Sequence, residues 1–211
     1  MTTAWMHAVA PALLLGALQA GAAGFEAPRV RSASLESLPY GAQAAGLVVL
    51  AVDVDARGAV RAVDTVKDLE PFGPVLRQSV LSWTFEPARK DGVAVEQPVL
   101  VVGAFRPAMV VFPAPPAPPQ PPSDAPHSVP YPTSIGIPPY PPNLTGTGVV
   151  LVETEIGAAG QVTAARVVGD ASPFDDASVE AARRWVFRPA RHDGSAVGSR
   201  AYLLFVYRQP I

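Results

Sequence analysis

A chain of 211 residues with a net charge of −2 and no cysteine has room for one ordinary domain or two small ones. Without thiols it has no disulfide framework, thiolate metal site or cysteine nucleophile. Its charges of both signs are interspersed, so no basic face tracks phosphates, and nucleic acid is excluded as an expected partner.

In chain order, the first feature is the apolar run AVAPALLLGALQAGAAG from Ala8 to Gly24, which ends in small residues with an Ala20-Gly21-Ala22 triplet. This pattern predicts a cleaved export signal over residues 1–23, with a retained membrane anchor as the alternative and a soluble helix behind both. Beyond it the chain repeats itself. A shift of 102 positions aligns Gly46–Arg106 with Gly148–Arg208 without a gap, and "WTFEPARKDG" at Trp83–Gly92 returns as "WVFRPARHDG" at Trp185–Gly194. About a third of the aligned pairs are identical, the mark of two copies of one small domain.

The first copy, placed at 38–110, opens with Val48, Leu50, Val52 and Val54 alternating with Val49, Ala51, Asp53 and Asp55. A period of two predicts a half-buried strand with the acids outward. Ala56-Arg57-Gly58 supplies a hairpin turn, and Ala59–Val66 reads as the returning strand. A short helix ends near Trp83, and Phe85 and Pro87 begin an extended segment. Trp83, Phe85 and Pro87 are predicted as structural core. Pro98 falls near the last strand, where it cannot donate to a ladder.

A proline-rich stretch follows from Val111, with the linker placed at 111–137 and its character continuing to Asn143. Its backbone favours polyproline II at about 3.1 Å per residue, so about 25 residues could hold the copies up to roughly 75 Å apart. The second copy, placed at 138–211, repeats the pattern. Val150, Val152, Thr154 and Ile156 are predicted inward, against Glu153 and Glu155; Gly160 turns the hairpin, and Gln161–Val168 returns. Ser172 is predicted to cap a helix with Pro173 in its first turn and Asp175 and Asp176 near its positive end. The helix is expected to end near Trp185. Trp185, Phe187 and Pro189 repeat the predicted core, Asp193-Gly194 makes a turn, and a last strand runs from Arg200 to Arg208. The fold class is α+β: two repeats, each a three- to four-stranded antiparallel sheet covered by one helix in the order β-β-α-β-β.

Catalytic, cofactor and metal residues are expected to be absent. His7, His127 and His192 fall in the leader, the linker and a turn, with no partner at ligand or triad spacing. Asp175, Asp176 and Glu180 are acids that a helix start favours anyway, and the first copy has Gly73, Pro74 and Gln78 in their places. The last strand of each copy is amphipathic and ends its segment. It is a natural unpaired edge for an extended peptide, unless it is covered or the two copies pair with each other.

The second copy carries enough of a pattern to compare with a family. Tyr140-Pro141-Pro142, Gly148, Val150, Val152, Gly160, Val162, Val168, Ala181-Ala182, Trp185, Phe187, Pro189-Ala190, Gly194 and Val197 resemble the TonB C-terminal domain, and the resemblance covers both repeats. It implies a periplasmic, non-enzymatic protein that binds outer-membrane receptors by adding the receptor's extended TonB box as a strand, working with ExbB- and ExbD-like inner-membrane proteins if anchored. Carried onto this chain, the contact surface would be Pro139, Tyr140 and Pro141 with Arg200, Tyr202, Leu204, Val206 and Arg208 of the last strand. The alternative is a structural adaptor or peptidoglycan-associated module of the envelope that transmits no energy.

Overall fold

The computed structural model describes residues 24–39, 41–42, 44–106 and 128–209. The expected signal or anchor at 1–23, with His7, and the linker residues 111–127, with His127, lie outside the described residues. The elements are β1 (Phe25–Glu26), β2 (Arg29–Ser32), β3 (Gly46–Val54), β4 (Val60–Lys67), α1 (Phe72–Leu81), β5 (Thr84–Glu86), β6 (Ala88–Lys90), β7 (Val93–Val95) and β8 (Gln97–Phe105). From β2 onward the same order returns as β9 (Tyr131–Ser134), β10 (Gly148–Ile156), β11 (Val162–Val168), α2 (Asp175–Arg183), β12 (Val186–Arg188), β13 (Ala190–His192), β14 (Ser195–Val197) and β15 (Ser199–Tyr207).

The two halves share one sheet. Its six strands run β11-β10-β15-β8-β3-β4, so each half contributes three strands instead of building a separate sheet. Neighbours within a half are antiparallel, whereas β8 and β15 meet in parallel, with Leu100 opposite Ala201 and Phe105 opposite Val206. Parallel pairing of equivalent strands relates the halves by a half-turn about the strand direction, and that operation turns one half upside down. The helices therefore cover opposite faces. Phe72, Leu76 and Val80 of α1 share a core with Val48, Leu50, Val101, Leu151, Tyr202 and Leu204; Ala181 and Ala182 of α2 share the other with Leu47, Val49, Leu100, Val102, Val152, Leu203 and Phe205.

This arrangement corrects the half-buried strands expected from the alternation. Val49 and Ala51 are buried along with Val48 and Leu50, and Glu153 is 2% exposed. The expected 75 Å separation is overturned as well, because the final strands of the two halves are hydrogen-bonded to each other. Residues 128–137, expected in the linker, include β9, and Val129 and Tyr131 are buried in the core. This segment has a matching partner at the N-terminus. β2 pairs with β5 as β9 pairs with β12, and the indole Nε1 of Trp83 donates to the Ser34 carbonyl at 2.8 Å as Trp185 donates to Gly136 at 2.8 Å. The repeat thus begins earlier than either expected boundary.

Local packing repeats too. Phe72 stacks on Phe105 with centroids 4.1 Å apart, and Phe174 on Tyr207 at 4.3 Å. Trp83, Phe85, Trp185 and Phe187 are buried as expected, whereas Pro87 and Pro189 are only half-buried beside the buried Ala88 and Ala190. The second helix starts at Asp175 with Phe174 at its N-cap, not Ser172. Ser172 instead donates its backbone N–H to the Asp175 carboxylate and accepts the Phe174 N–H. The helix stops at Arg183, and Trp185 follows its end.

Gly58 and Gly160 are the fixed points of the two first hairpins. Both have positive φ, +85° and +90°, and a Cβ there would lie 1.8 Å from the Phe85 carbonyl oxygen and 1.9 Å from that of Phe187. Each hairpin turn is therefore pressed against the strand after the helix. Replacing Gly160 by alanine is expected to cost about 2 kcal/mol or more, read as a lowered urea midpoint; a midpoint unchanged from the parent would contradict this packing.

Candidate strand-addition interface

The last strand, expected as an edge for a partner unless it is covered or the two copies pair with each other, lies in the middle of the sheet, paired with the equivalent strand of the first half. One side of β15 is filled by β10 and the other by β8. Tyr202, Leu204 and Val206 are buried, and so are Arg200 and Arg208. The correction has a physical cause: a strand with apolar residues on both faces, Tyr202-Leu203-Leu204-Phe205-Val206, suits a position covered on both sides, as in parallel sheets.

Two arginines at equivalent repeat positions fasten the seam in both directions. Arg208 donates to the carbonyls of Ala42, Ala44 and Arg106 in the first half and lies over the Phe72 ring at 5.5 Å. Arg106 donates from Nη1 to the Pro138 carbonyl at 2.7 Å, between β9 and β10 of the second half.

A polar cluster, built only in the second half, holds down the N-terminal segment. Glu153 receives Nε and Nη2 of Arg166 at 3.1 and 2.9 Å, lies 3.3 Å from Arg200 Nε, and accepts the Tyr202 hydroxyl at 3.3 Å. A carboxylate this deeply buried is tolerable only because cations and a donor surround it. Arg200 Nη1 also donates to the carbonyls of Ala27 and Pro28, at 2.7 and 2.9 Å. The Tyr202 hydroxyl accepts the Val30 N–H at 2.9 Å and sits 3.0 Å from the Pro28 carbonyl. The residues at the equivalent places in the first half are Ala51, Pro98 and Leu100, which can do none of this.

Pro139, Tyr140 and Pro141 stay at the surface: Pro139 is exposed and the other two are half-buried. The Tyr140 ring leans on Phe174 and Tyr207, at 5.7 and 6.4 Å, and its hydroxyl donates to the Gly146 carbonyl at 3.0 Å. The structure therefore splits the expected contact residues into a buried seam and a surface lead-in. His192, expected in a turn, is the exposed last residue of β13 beside Asp193, and among the described residues no group of histidine, aspartate and glutamate is arranged to hold a metal. Sequence reasoning missed Arg106, Glu153 and Arg166. Arg106 was signalled by its identity with Arg208 at the repeat offset, and Glu153 by its cross-strand position opposite Tyr202 and Arg166.

A family model described as Gram-negative bacterial TonB protein C-terminal matches residues 139–208. No curated protein and no solved structure matches the chain.

Removing the Tyr202 hydroxyl by Tyr202→Phe is expected to cost about 1–3 kcal/mol in urea denaturation, since it strips a partner from Val30, Pro28 and Glu153. It should also speed hydrogen exchange at the Val30 amide; an unchanged exchange rate would contradict the clamp. Burial raises the phenol pKa values of Tyr202, Tyr131 and Tyr207 above their ordinary 10.0. Above pH 10 the unfolded chain loses these protons while the fold still holds them, so their contribution is complete below that pH and is lost as pH rises. Denaturation midpoints should fall above pH 10, and less steeply in Tyr202→Phe; equal slopes in the two proteins would contradict the assignment.

Proposed function

We propose, on the premise that residues 139–208 belong to the Gram-negative TonB C-terminal family, that the chain is a non-catalytic envelope protein that captures an extended segment of an outer-membrane receptor by strand addition. TonB C-terminal domains are protein-interaction domains that bind outer-membrane receptors in general. The observation that carries the reading is the match of this segment to that family, and the form of the sheet supports it. Three of the six strands come from residues 139–208, and β4 and β11 at the two ends each have a sheet neighbour on one side only. Backbone hydrogen bonds along such an edge resist a pull along the strand while tolerating varied partner side chains.

The division of the chain into two TonB-like units at 38–110 and 138–211, joined by the proline-rich 111–137, is part of the proposal. So is service in energy-coupled transport, which needs an ExbB/ExbD-like pair and a retained N-terminal anchor. Among the described residues no helix is long and apolar enough to cross a membrane; the proposal puts the anchor at 1–23. One observation favours a second reading, that of an adaptor or peptidoglycan-associated module without energy coupling: the last strand, which the family resemblance offers to the receptor, is already paired with β8. Its surface lead-in of Pro139, Tyr140 and Pro141 is available under either reading.

The test is co-elution of the full chain with a purified outer-membrane receptor, with and without that receptor's extended N-terminal segment. Co-elution that depends on the segment is expected. Association that survives its removal would contradict strand addition, and association with purified cell-wall sacculi but with no receptor would favour the adaptor.

A further inference from the structure

We infer that the partner strand is taken up on the outer edge of β11, not on the last strand; this rests on the strand-addition reading above. The sheet offers two outer strands, and they are not alike. β4 is defended. Arg61, Asp64 and Lys67 place charges along it, and Arg77 of α1 reaches down to donate from Nε to the Val63 carbonyl at 3.3 Å. Charges and side-chain caps of this kind are how sheet edges are kept from pairing with other chains.

At the matching positions β11 keeps one charge, Arg166, and lacks the other devices. Val179 stands where Arg77 stands and cannot donate a hydrogen bond, and Ala165 replaces Val63. The three charges become Thr163, Arg166 and Gly169. Arg166 is turned away into Glu153, which takes both its Nε and Nη2. A Cβ on Gly169 would meet nothing within 4 Å. Thr163 and Ala164 are exposed, so small side chains border the strand on its open side. The start of the strand is closed, since Gln161 bridges to Val186; the open length runs from Thr163 to Val168.

Past Val168 this edge leads to a cleft of about 480 Å³, lined by Val30, Val149, Leu151 and Val168 together with Arg31, Asp170 and Asp175. Apart from Arg166 the open strand carries uncharged side chains, and its cleft sets the aliphatic Val149, Leu151 and Val168 beside Arg31, Asp170 and Asp175. The occupant that fits is an uncharged, extended segment of the receptor, with one apolar side chain near its end to enter the cleft. A charged strand would meet a single cation along Thr163–Val168, Arg166, whose guanidinium already holds both carboxylate oxygens of Glu153.

Binding is tested on the full chain, with a fluorescent peptide carrying the TonB box of an outer-membrane receptor. Thr163→Arg/Val179→Arg copies the β4 defence onto β11 at positions that are exposed or half-buried, and Ala165→Pro removes a backbone donor. Each is expected to weaken binding about tenfold or more without changing the thermal midpoint in the first case. A second variant, Val102→Cys/Leu203→Cys, joins register partners of β8 and β15 in a chain with no other cysteine, and its oxidised form is expected to bind as tightly as its reduced form. Binding abolished by oxidation but untouched by the β11 substitutions would overturn the inference in favour of an opened last strand, and would leave the proposed function standing. Failure of the unmodified chain to bind any receptor peptide would overturn the proposed function and the inference with it. A concentration-dependent dimer lost in Thr163→Arg/Val179→Arg would overturn the inference by assigning this edge to a second copy.

Discussion

The parallel pairing of β8 with β15 is the contact on which the rest of the molecule depends. Equivalent strands that meet in parallel must be related by a half-turn along their own direction, and that places α1 and α2 on opposite faces of one sheet. Each half then presents the face its own helix does not cover, and the other half helps to cover it. Residues such as Val49, Val102, Tyr202 and Leu204 are therefore buried for a reason that no single half contains. The strap around Pro28 and Val30 and the segment around Val129 and Tyr131 complete the enclosure from either end. Burial of each large aliphatic or aromatic side chain is worth about 1.5–3 kcal/mol, so separating the halves would expose many such increments at once.

Much of the local structure was legible in the sequence. The hairpin glycines Gly58 and Gly160, the turns at Asp91-Gly92 and Asp193-Gly194, and the buried tryptophans all follow from local chemistry, and the structure contains them. What was not legible is how the repeats meet. Alternation in Val48–Val54 reads as one wet face and one dry face, yet both faces are dry, because period-two patterning cannot distinguish Val49 packed on a second helix from Val49 facing water. The runs Tyr202–Val206 and Val99–Val102, apolar at every position, were where the sequence pointed to strands covered on both sides. β2 and β9 were missed because the prolines beside or within them, Pro28 and Pro132, argue against strands; each pairs along one side only, where a missing donor is tolerated.

The candidate site shows the same division. Pro139, Tyr140 and Pro141 lie at the surface as a lead-in to the second half, while Arg200, Tyr202, Leu204, Val206 and Arg208 are consumed by the seam and the strap. A strand that pairs with its own repeat has given up the edge a partner would use. The differences between β4 and β11 then gain meaning, since one outer strand is guarded by charge and by Arg77 and the other is not. On the proposed reading, the duplication has reassigned the role of edge from the last strand to the second strand of the carboxy-terminal half.

The central claim is that the two halves form one sheet through β8 and β15, and interstrand nuclear Overhauser effects on the uniformly labelled full chain test it most directly. The account predicts backbone cross-peaks joining Leu100 with Ala201, Val102 with Leu203 and Ala104 with Phe205, together with one rotational correlation time for both halves. Absence of those cross-peaks, with the halves tumbling independently, would contradict it.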